Sequence, residues 1–496
     1  MVMVMVKTPL KNRGGKDCSI KVKFDKWNSF GFLFFLIVGS VHVYAQENQT
    51  HYLVELNTIQ ATKSTVPFWL SANSYGRIQQ QPSTLVYSTI YNDLGASSND
   101  FQFSYKVGTT AYNTSKKSVA FIDELYGDLH YKKWGLTVGV KHHEMLWEGL
   151  SSTNGTITKS INARSYPGYE LYLKDFVTLP FAKKWLSVKG NYGDFLLNDK
   201  RSITNTRLHT KSLFIKSVLN EKCELIVGMN HYAQWAGTSS LFGKQPASFK
   251  DYIRVITGSS GGSDALEGDQ INVLGNQLGS YQVQFNYSGC KTNWNLYWSH
   301  LFEDRSGREL MNYPDALYGF FIDFKKPEAL ISHLLTEFTY TKHASGDVPH
   351  YTDDQGIAHA ASGMDNYFNN GVYQSGWTYF GNTIGSPYFT TKPVDANGIT
   401  PGIIDGDNRF MAFNLGVKGS IKKIKYKAIL SHISYVGWFG SEYVNKPTQT
   451  SGIFEVTDMH VLKLPLEISI GTAFDTGTYR PVNFGGFIKL TKRGAF

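Results

Sequence analysis

The stretch YQVQFNYSGCKTNWNLYWS, Tyr281 to Ser299, decides how the rest of the chain is read. Tyr281, Val283, Phe285 and Tyr287 alternate with Gln282, Gln284, Asn286 and Ser288. After the short turn GCKTN, Trp294, Leu296 and Trp298 alternate with Asn295, Tyr297 and Ser299. Successive side chains of an extended strand point to opposite faces, so the pattern predicts a hairpin with one apolar and one polar face. The same period recurs at Leu125 to Tyr131, answered across Lys132 and Lys133 by Trp134 to Val140. It returns at Leu186 to Tyr192, Phe413 to Val417, Lys425 to Tyr435 and Ile468 to Phe474. These segments approach the roughly 9–11 residues that a tilted strand needs to cross a bilayer.

Soluble sandwiches alternate too, so other features carry the choice. Short turns contrast with long, polar, glycine-rich connections at 236–279, 342–367, 383–409 and 437–453. Tyr and Trp cluster near strand ends, as interfacial girdles require, and the chain finishes on Phe496 behind Phe484, Ile488 and Leu490. Aromatics make up 15% of the 496 residues and charged residues only 18%, below the roughly 25% of ordinary soluble chains. The expected fold is all-β: a transmembrane antiparallel outer-membrane β-barrel of about 18 strands, with some helical, periplasmic or lumen-plugging insertions.

At the N-terminus, Lys7 through Lys26 supply a basic leader before the apolar run FGFLFFLIVGSV, and Val43-Tyr44-Ala45 offers a cleavage site. Residues 1–45 are expected to be a signal peptide cut near Ala45. Residues 46–99 should then form a first strand with a periplasmic or plug segment, and residues 100–496 the barrel with its long extracellular loops. Removing the leader takes most of the basic excess with it, and no Lys/Arg cluster with interleaved aromatics survives, so nucleic acid is not an expected partner. No second stretch of 18 or more apolar residues exists, which excludes a helical membrane protein. Cys223 and Cys290 could pair in an oxidising compartment, but two cysteines so far apart are neither a disulfide framework nor a metal site.

Four stretches could carry chemistry. In KHHEMLWEGLSSTNG, His142, His143 and Glu144 suggest a metal, yet position 147, where a zincin needs its second His, is Trp. In LFEDRSGRELMNYPDALYGFF, Glu303, Asp304 and Asp315 suggest paired carboxylates. Adjacent Glu303 and Asp304 would point to opposite faces of a strand, so a short helix or turn with acids bonding amides or Arg305 and Arg308 is the simpler reading. In SINARSYPGYEL, Arg164 lies between Asn162 and Tyr166, a set suited to a sugar or carboxylate, or else to a lumen arginine paired with Glu148 or Glu170. In NNGVYQSGWTYFGNTIGSPYF, Val372 to Phe380 reads as a strand or tight hairpin-like insertion. Trp377, Tyr379 and Asn382 are its candidate ligand contacts, with girdle or lumen packing as the alternative. No nucleophile elbow, P-loop or dinucleotide fingerprint occurs.

Together, PFWLSANSYGRI, GLSSTNGTITKSINARSYPGYEL, LFEDRSGRELMNYPDALYGFF and NNGVYQSGWTYFGNTIGSP resemble, in order, the capsule-assembly Wzi family of Gram-negative outer-membrane proteins, in the versions found in Bacteroidetes-like bacteria. The resemblance implies an eighteen-stranded barrel with some helical structure on the periplasmic side. It also implies a lectin-like role, holding capsular or exopolysaccharide at the cell surface, with no enzymatic activity and no cofactor. Expected partners are that polysaccharide, outer-membrane lipid and the polysaccharide export channel. A passive channel for sugars or small solutes is the alternative, and an enzyme using Glu303, Asp304 or His143 a third possibility. The candidate ligand residues Trp377, Tyr379, Asn382, Arg164, Asn162 and Tyr166 rest on their own chemistry.

Overall fold

Eighteen long strands, each antiparallel to its neighbours, follow one another around a closed wall. The computed structural model describes residues 49–92, 100–182, 184–346, 351–352, 358–359, 363–458 and 466–496. The strands are β1 (Thr50–Ala61), β2 (Ser83–Asn92), β3 (Phe101–Thr114), β4 (Ser118–Tyr131), β5 (Trp134–Val140), β6 (Gly168–Leu173), β7 (Leu186–Leu197), β8 (Thr206–Asn220) and β9 (Cys223–Trp235). The second half is β10 (Asn276–Ser288), β11 (Asn293–Phe302), β12 (Ala316–Asp323), β13 (His333–Tyr340), β14 (Phe410–Ile421), β15 (Ile424–Tyr435), β16 (Thr448–Asp458), β17 (Glu467–Gly477) and β18 (Asn483–Ala495). β1 pairs with both β2 and β18, and that second pairing closes the cylinder. The expected leader and its cleavage site lie outside the described residues. Ser83–Asn92 is already the second wall strand, so the barrel takes it up ahead of residue 100.

One rim carries both ends of the wall, at Thr50 and Ala495, and the tight turns at 132–133, 221–222, 289–292 and 422–423. The opposite rim carries the connections 62–82, 141–167, 236–275, 303–315, 341–409 and 436–447. In bacterial barrels short turns face the periplasm and long loops the outside, so these are the inner and outer rims. Outward positions such as Leu129, Val138, Leu213, Leu296, Phe413 and Ile470 are apolar and exposed, forming the lipid-facing band. No described helix is long and apolar enough to cross a membrane. The four short α-helices among the described residues, α1 (Phe68–Ser71), α2 (Phe249–Thr257), Glu267–Ile271 and Arg305–Arg308, all belong to outer-rim connections rather than to the periplasmic side.

A barrel of this girth would enclose a channel if nothing filled it. Here 62–82, 141–167 and much of 341–409 fold inward as a plug. Leu150, Ile157, Tyr367, Phe368, Trp377, Ile384 and Phe389 form its core and pack on the inward residues Leu208, Leu278, Leu301, Leu335 and Phe410 of the wall. On the other side, Val66 and Leu70 pack against Ile59, Leu85, Tyr87 and Tyr112. The plug therefore reaches the wall on both sides of the lumen. Cys223 and Cys290 are both free.

Candidate functional site

The plug is held to the wall by buried polar groups that point inward. Glu337 on β13, opposite Gly319 and Asn414 in register, accepts from Ser151 Oγ at 2.5 Å, from the Ser152 N–H and Oγ at 2.7 Å each, and from the Tyr297 hydroxyl at 2.7 Å. Further along the same wall, on β17 and β15, the Phe68 N–H donates to Asp475 at 3.1 Å and Trp69 Nε1–H to Ser431 at 3.0 Å. A third anchor depends on a β-bulge. Gly108 faces Glu124 and Thr109 faces Ile122, which leaves Asp123 as the extra residue, and both carboxylates are buried on the inner side. Arg77 meets Asp123 at 2.5 Å and Lys106 meets Glu124 at 2.7 Å, while His142 lies 3.3 Å from Asp123. Asp123, Glu124 and His142 are close enough to offer ligand atoms to a metal ion. Arg77 and Lys106 already neutralise both acids, so the chemistry is that of an ion-pair network tying 62–82 to the wall.

Three of the six expected ligand residues, Trp377, Tyr379 and Tyr166, lie in the plug core. Trp377 is 0% exposed, donates Nε1–H to the Thr158 carbonyl at 2.6 Å and packs on Tyr232. Tyr379 donates to Asn198 at 2.5 Å, and buried Tyr166 sits edge-on between Tyr379 and Phe195. The glycines around these aromatics do not mark an open loop. Gly376 and Gly381, both at positive φ, let the chain fold into the tiny hairpin Thr378–Tyr379/Asn382–Thr383 inside the plug. Asn162 is also buried, accepting from the Asn73 N–H at 3.2 Å and donating to the Thr383 carbonyl at 3.1 Å.

Asn382 and Arg164 keep partial exposure toward the outer rim. Both sit over Gly76, where a Cβ would come within 2.8 Å of Arg164 Cγ and 3.4 Å of Asn382 Nδ2. The Arg164 guanidinium lies over the Phe121 ring at 3.5 Å and the Phe380 ring at 4.6 Å. Its expected acid partners are taken: Glu148 pairs with Lys418 at 2.5 Å, and Glu170 accepts from Asn191 at 2.6 Å. Asn382 and Asn162 line a shallow polar pocket of about 40 Å³, with Gln80, Thr391 and Arg480 around it and Phe68 and Phe389 beneath. That volume suits one hydroxyl or carboxylate group, with the rest of a ligand lying across the mouth.

A larger polar cavity of about 320 Å³ lies inside the barrel against the 141–167 insertion. Trp147 stacks on Tyr297 with ring centroids 4.7 Å apart and planes 7° from parallel, and Asn191, Asn230, Gln282 and Gln284 supply amides from the wall. His143 and Lys159 line it too. Burial pushes the His143 imidazole well below its usual range and lowers the Lys159 ammonium against the pull of Glu170.

The acids of the outer connections are engaged in holding the chain. Glu303 accepts from the Phe368 N–H at 2.6 Å, and Asp304 accepts from Ser306 Oγ at 2.5 Å. Asp315 accepts from the His343 and Ala344 N–H groups at 2.8 and 2.6 Å and from the Tyr367 hydroxyl at 2.7 Å. Burial pushes Asp315 up to about 7 and Asp365 up to about 6. Sequence reasoning passed over Glu337, Asp123 and Glu124. The available signals were a lone carboxylate on the polar side of HLLTEFTY and the hydroxyl run SST that it binds.

The sequence profile of the capsule assembly protein Wzi family matches residues 67–399. The chain belongs to this family. The Wzi match begins at Pro67, the residue before α1, and takes in the lumen cavity and all of the outer pocket except Arg480. Among solved structures, the chain is similar to Escherichia coli Wzi, described as an outer membrane protein involved in group 1 capsule assembly and as a carbohydrate-binding β-barrel. The TM-score is 0.55 at 10% identity, covering 88% of this chain and 83% of that one. Pseudomonas aeruginosa OccK3 (OpdO) follows with a TM-score of 0.46 at 8% identity, covering 90% and 96%, and OprD of the same organism with 0.45 at 7%, covering 91% and 96%. No curated protein matches the chain.

Proposed function

We propose that this Wzi-family chain is an outer-membrane carbohydrate-binding barrel, exported behind a leader cut near Ala45, that holds capsular or exopolysaccharide at the cell surface beside the export channel. The observation that carries this reading is the plug. Its core reaches the wall on both sides of the lumen, which suits a fixed binding surface better than a passage, and its outer side presents Asn382, Gln80 and Arg480 around a pocket. Amides and a guanidinium above aromatic rings bind hydroxyls and carboxylates by directed hydrogen bonds while an apolar floor covers the sugar face. Asn162, Tyr166, Trp377 and Tyr379 serve the same site indirectly, by fixing the hairpin that carries Asn382. Glu303, Asp304 and Asp315 have no catalytic part in it, since their carboxylates are bonded to amides and hydroxyls of their own connections.

The test is a pull-down of purified capsular polysaccharide on detergent-solubilised protein, with Asn382→Ala and Arg480→Ala combined. Two lost hydrogen bonds of about 1 kcal/mol each, one of them charge-assisted, correspond to a loss of affinity of roughly tenfold or more. Unchanged binding by the double variant, with the heat-modifiable barrel intact, would exclude the outer pocket. Steady open conductance of the wild-type protein in planar bilayers would favour a solute channel instead.

A further inference from the structure

The connection between β9 and β10, residues 236–275, has a helix that runs along the outside of the wall rather than into the lumen. Strand register establishes this. Antiparallel partners point to the same side, and Lys211 is paired with Tyr192 and His231, while His209 is paired with Asp194 and Ala233. Two positions further toward the inner rim on the same side stand Leu213 and Met229, exposed members of the lipid-facing band. Asp194, His209, Lys211 and His231 are therefore outward residues, a polar group on the same side as that apolar band. His209 and His231 are nonetheless buried.

What covers them is α2. Tyr252 donates to Asp194 at 2.5 Å, and Lys211 donates to the Ile256 carbonyl. The helix is well bounded, with a capping box between Ser248 and Asp251 and a left-handed Gly258 as its stop. Its polar contacts face the barrel, while Phe249, 78% exposed, and Ile253, one turn later, face away from it. Leu241 and Ile271 of the same connection are exposed to a similar degree. Val255 also faces the wall, in an apolar cluster with Ala233, Trp235 and Ala236, and the exposed Phe249 and Ile253 suit lipid better than water.

Beside the first turn of α2 lies a cleft of about 550 Å³, mostly apolar, between the helix and the outer-rim ends of β6 to β9. Tyr169, Leu196, Trp235, Ala247 and Phe249 line it, and the Arg207 guanidinium stands over the Trp235 ring at 5.1 Å. Leu196 and Arg207 are each one residue from the outer end of their strands, the level of lipid headgroups. The cleft continues the lipid-facing surface, offers apolar walls to an alkyl chain, and places an exposed cation where a phosphate would sit.

We propose that α2 is a strap seated in the outer leaflet and that the cleft beside it holds one acyl chain of an anionic, phosphorylated lipid, with Arg207 meeting the phosphate. The site requires only that the barrel lies in the outer membrane, so its failure is distinct from failure of the polysaccharide pocket. The probe is diphosphoryl lipid A, added to detergent-solubilised protein and read by native mass spectrometry against phosphatidylethanolamine. One retained lipid A is expected. Retention should fall about tenfold in Arg207→Glu, the loss of one charge-assisted contact, and comparably in Ala247→Trp, which fills the cleft. Equal retention by the wild type and both folded variants, or equal retention of phosphatidylethanolamine, would overturn the proposal. A benzophenone side chain in place of exposed Phe249 gives an independent readout in intact cells: crosslinking to lipid A is expected, and crosslinking only to protein or polysaccharide would count against the strap.

Discussion

Replacing Glu337 with alanine should release the 141–167 insertion from the wall while leaving the wall standing. Glu337 is buried, has no lysine or arginine in ion-pair range among the described residues, and gathers its donors from the insertion, from β11 and, at 3.3 Å, from Asn414 on β14. Serine hydroxyls can turn to other acceptors, so the groups stranded by the substitution are chiefly the Ser152 N–H and the Tyr297 hydroxyl. At about 1–3 kcal/mol for each buried unpaired donor, the plug loses roughly 4 kcal/mol of its hold on β13. The ladders of β13 with β12 and β14 do not involve the side chain and persist. Hydrogen exchange on the protein in nanodiscs is the assay. Protection of residues 150–156 should fall by about a thousandfold, with each 1.4 kcal/mol counting as tenfold, while protection of β12 to β14 is retained. Glu337→Gln keeps one acceptor and should give a smaller change. Unaltered protection of 150–156 in a folded Glu337→Ala barrel would refute the view that this carboxylate pins the plug.

Trp377→Ala should cost about 3–5 kcal/mol of plug stability, because a fully buried indole leaves a cavity and the Thr158 carbonyl loses its donor. Faster exchange over 156–160 and 376–384 in a barrel that stays heat-modifiable is the expected result, and weakened polysaccharide binding with undiminished protection would return Trp377 to the ligand. Gly319→Val places a Cβ within 2.0 Å of the Tyr297 ring and should cost about 1–3 kcal/mol through displacement of Tyr297 from Glu337, read as a lower temperature for loss of the folded band on gels. Asp315 and Asp365 have folded pKa values raised by burial above the unfolded value of 3.8, so the folded chain holds the extra protons. Their contribution is complete below about pH 4 and is lost as pH rises through about 6 to 7. Cleavage of the 341–409 connection by a broad-range protease should therefore be faster at pH 8 than at pH 5, and Asp315→Asn should flatten that difference.

The wall was legible because lipid on one side and a polar interior on the other enforce alternation over the length of nearly every strand. The hairpin predicted at 281–299 is β10 and β11, with the turn at 289–292. Connections obey no such rule. Nothing in the spacing of 236–275 says that it runs outside the wall while 141–167 runs inside. Alternation also misleads wherever a bulge adds a residue: Asp123 and Glu124 are neighbours that should oppose one another, yet both are buried on the lumen side. The short helix or turn expected after Glu303 and Asp304 is present as Arg305–Arg308, and both acids accept from backbone amides, because β11 ends at Phe302. At the candidate site, Asn382 and Arg164 keep partial exposure, while Asn162 is buried and bonded within the plug. For Trp377 and Tyr379 the sequence leaves both ligand contact and lumen packing open, because a glycine-rich sequence gives no sign that three connections will bury one another.

The pairing of β1 with β18 sets His51 against Ala495, so the two ends of the cylinder's wall meet along a single seam. Before the last strand arrives, β1 has an open edge and the cylinder a slit along its whole height. The first plug segment is fastened to the strands that close this slit. The Thr62 N–H donates to the Phe484 carbonyl at 2.8 Å, Asn483 donates to the Thr65 carbonyl at 2.7 Å, and Asp475 receives the Phe68 N–H. The strands that seal the wall are thus also the ones that hold that segment. A chain truncated before β18 would lose the fastening of 62–65 together with the closure of the wall.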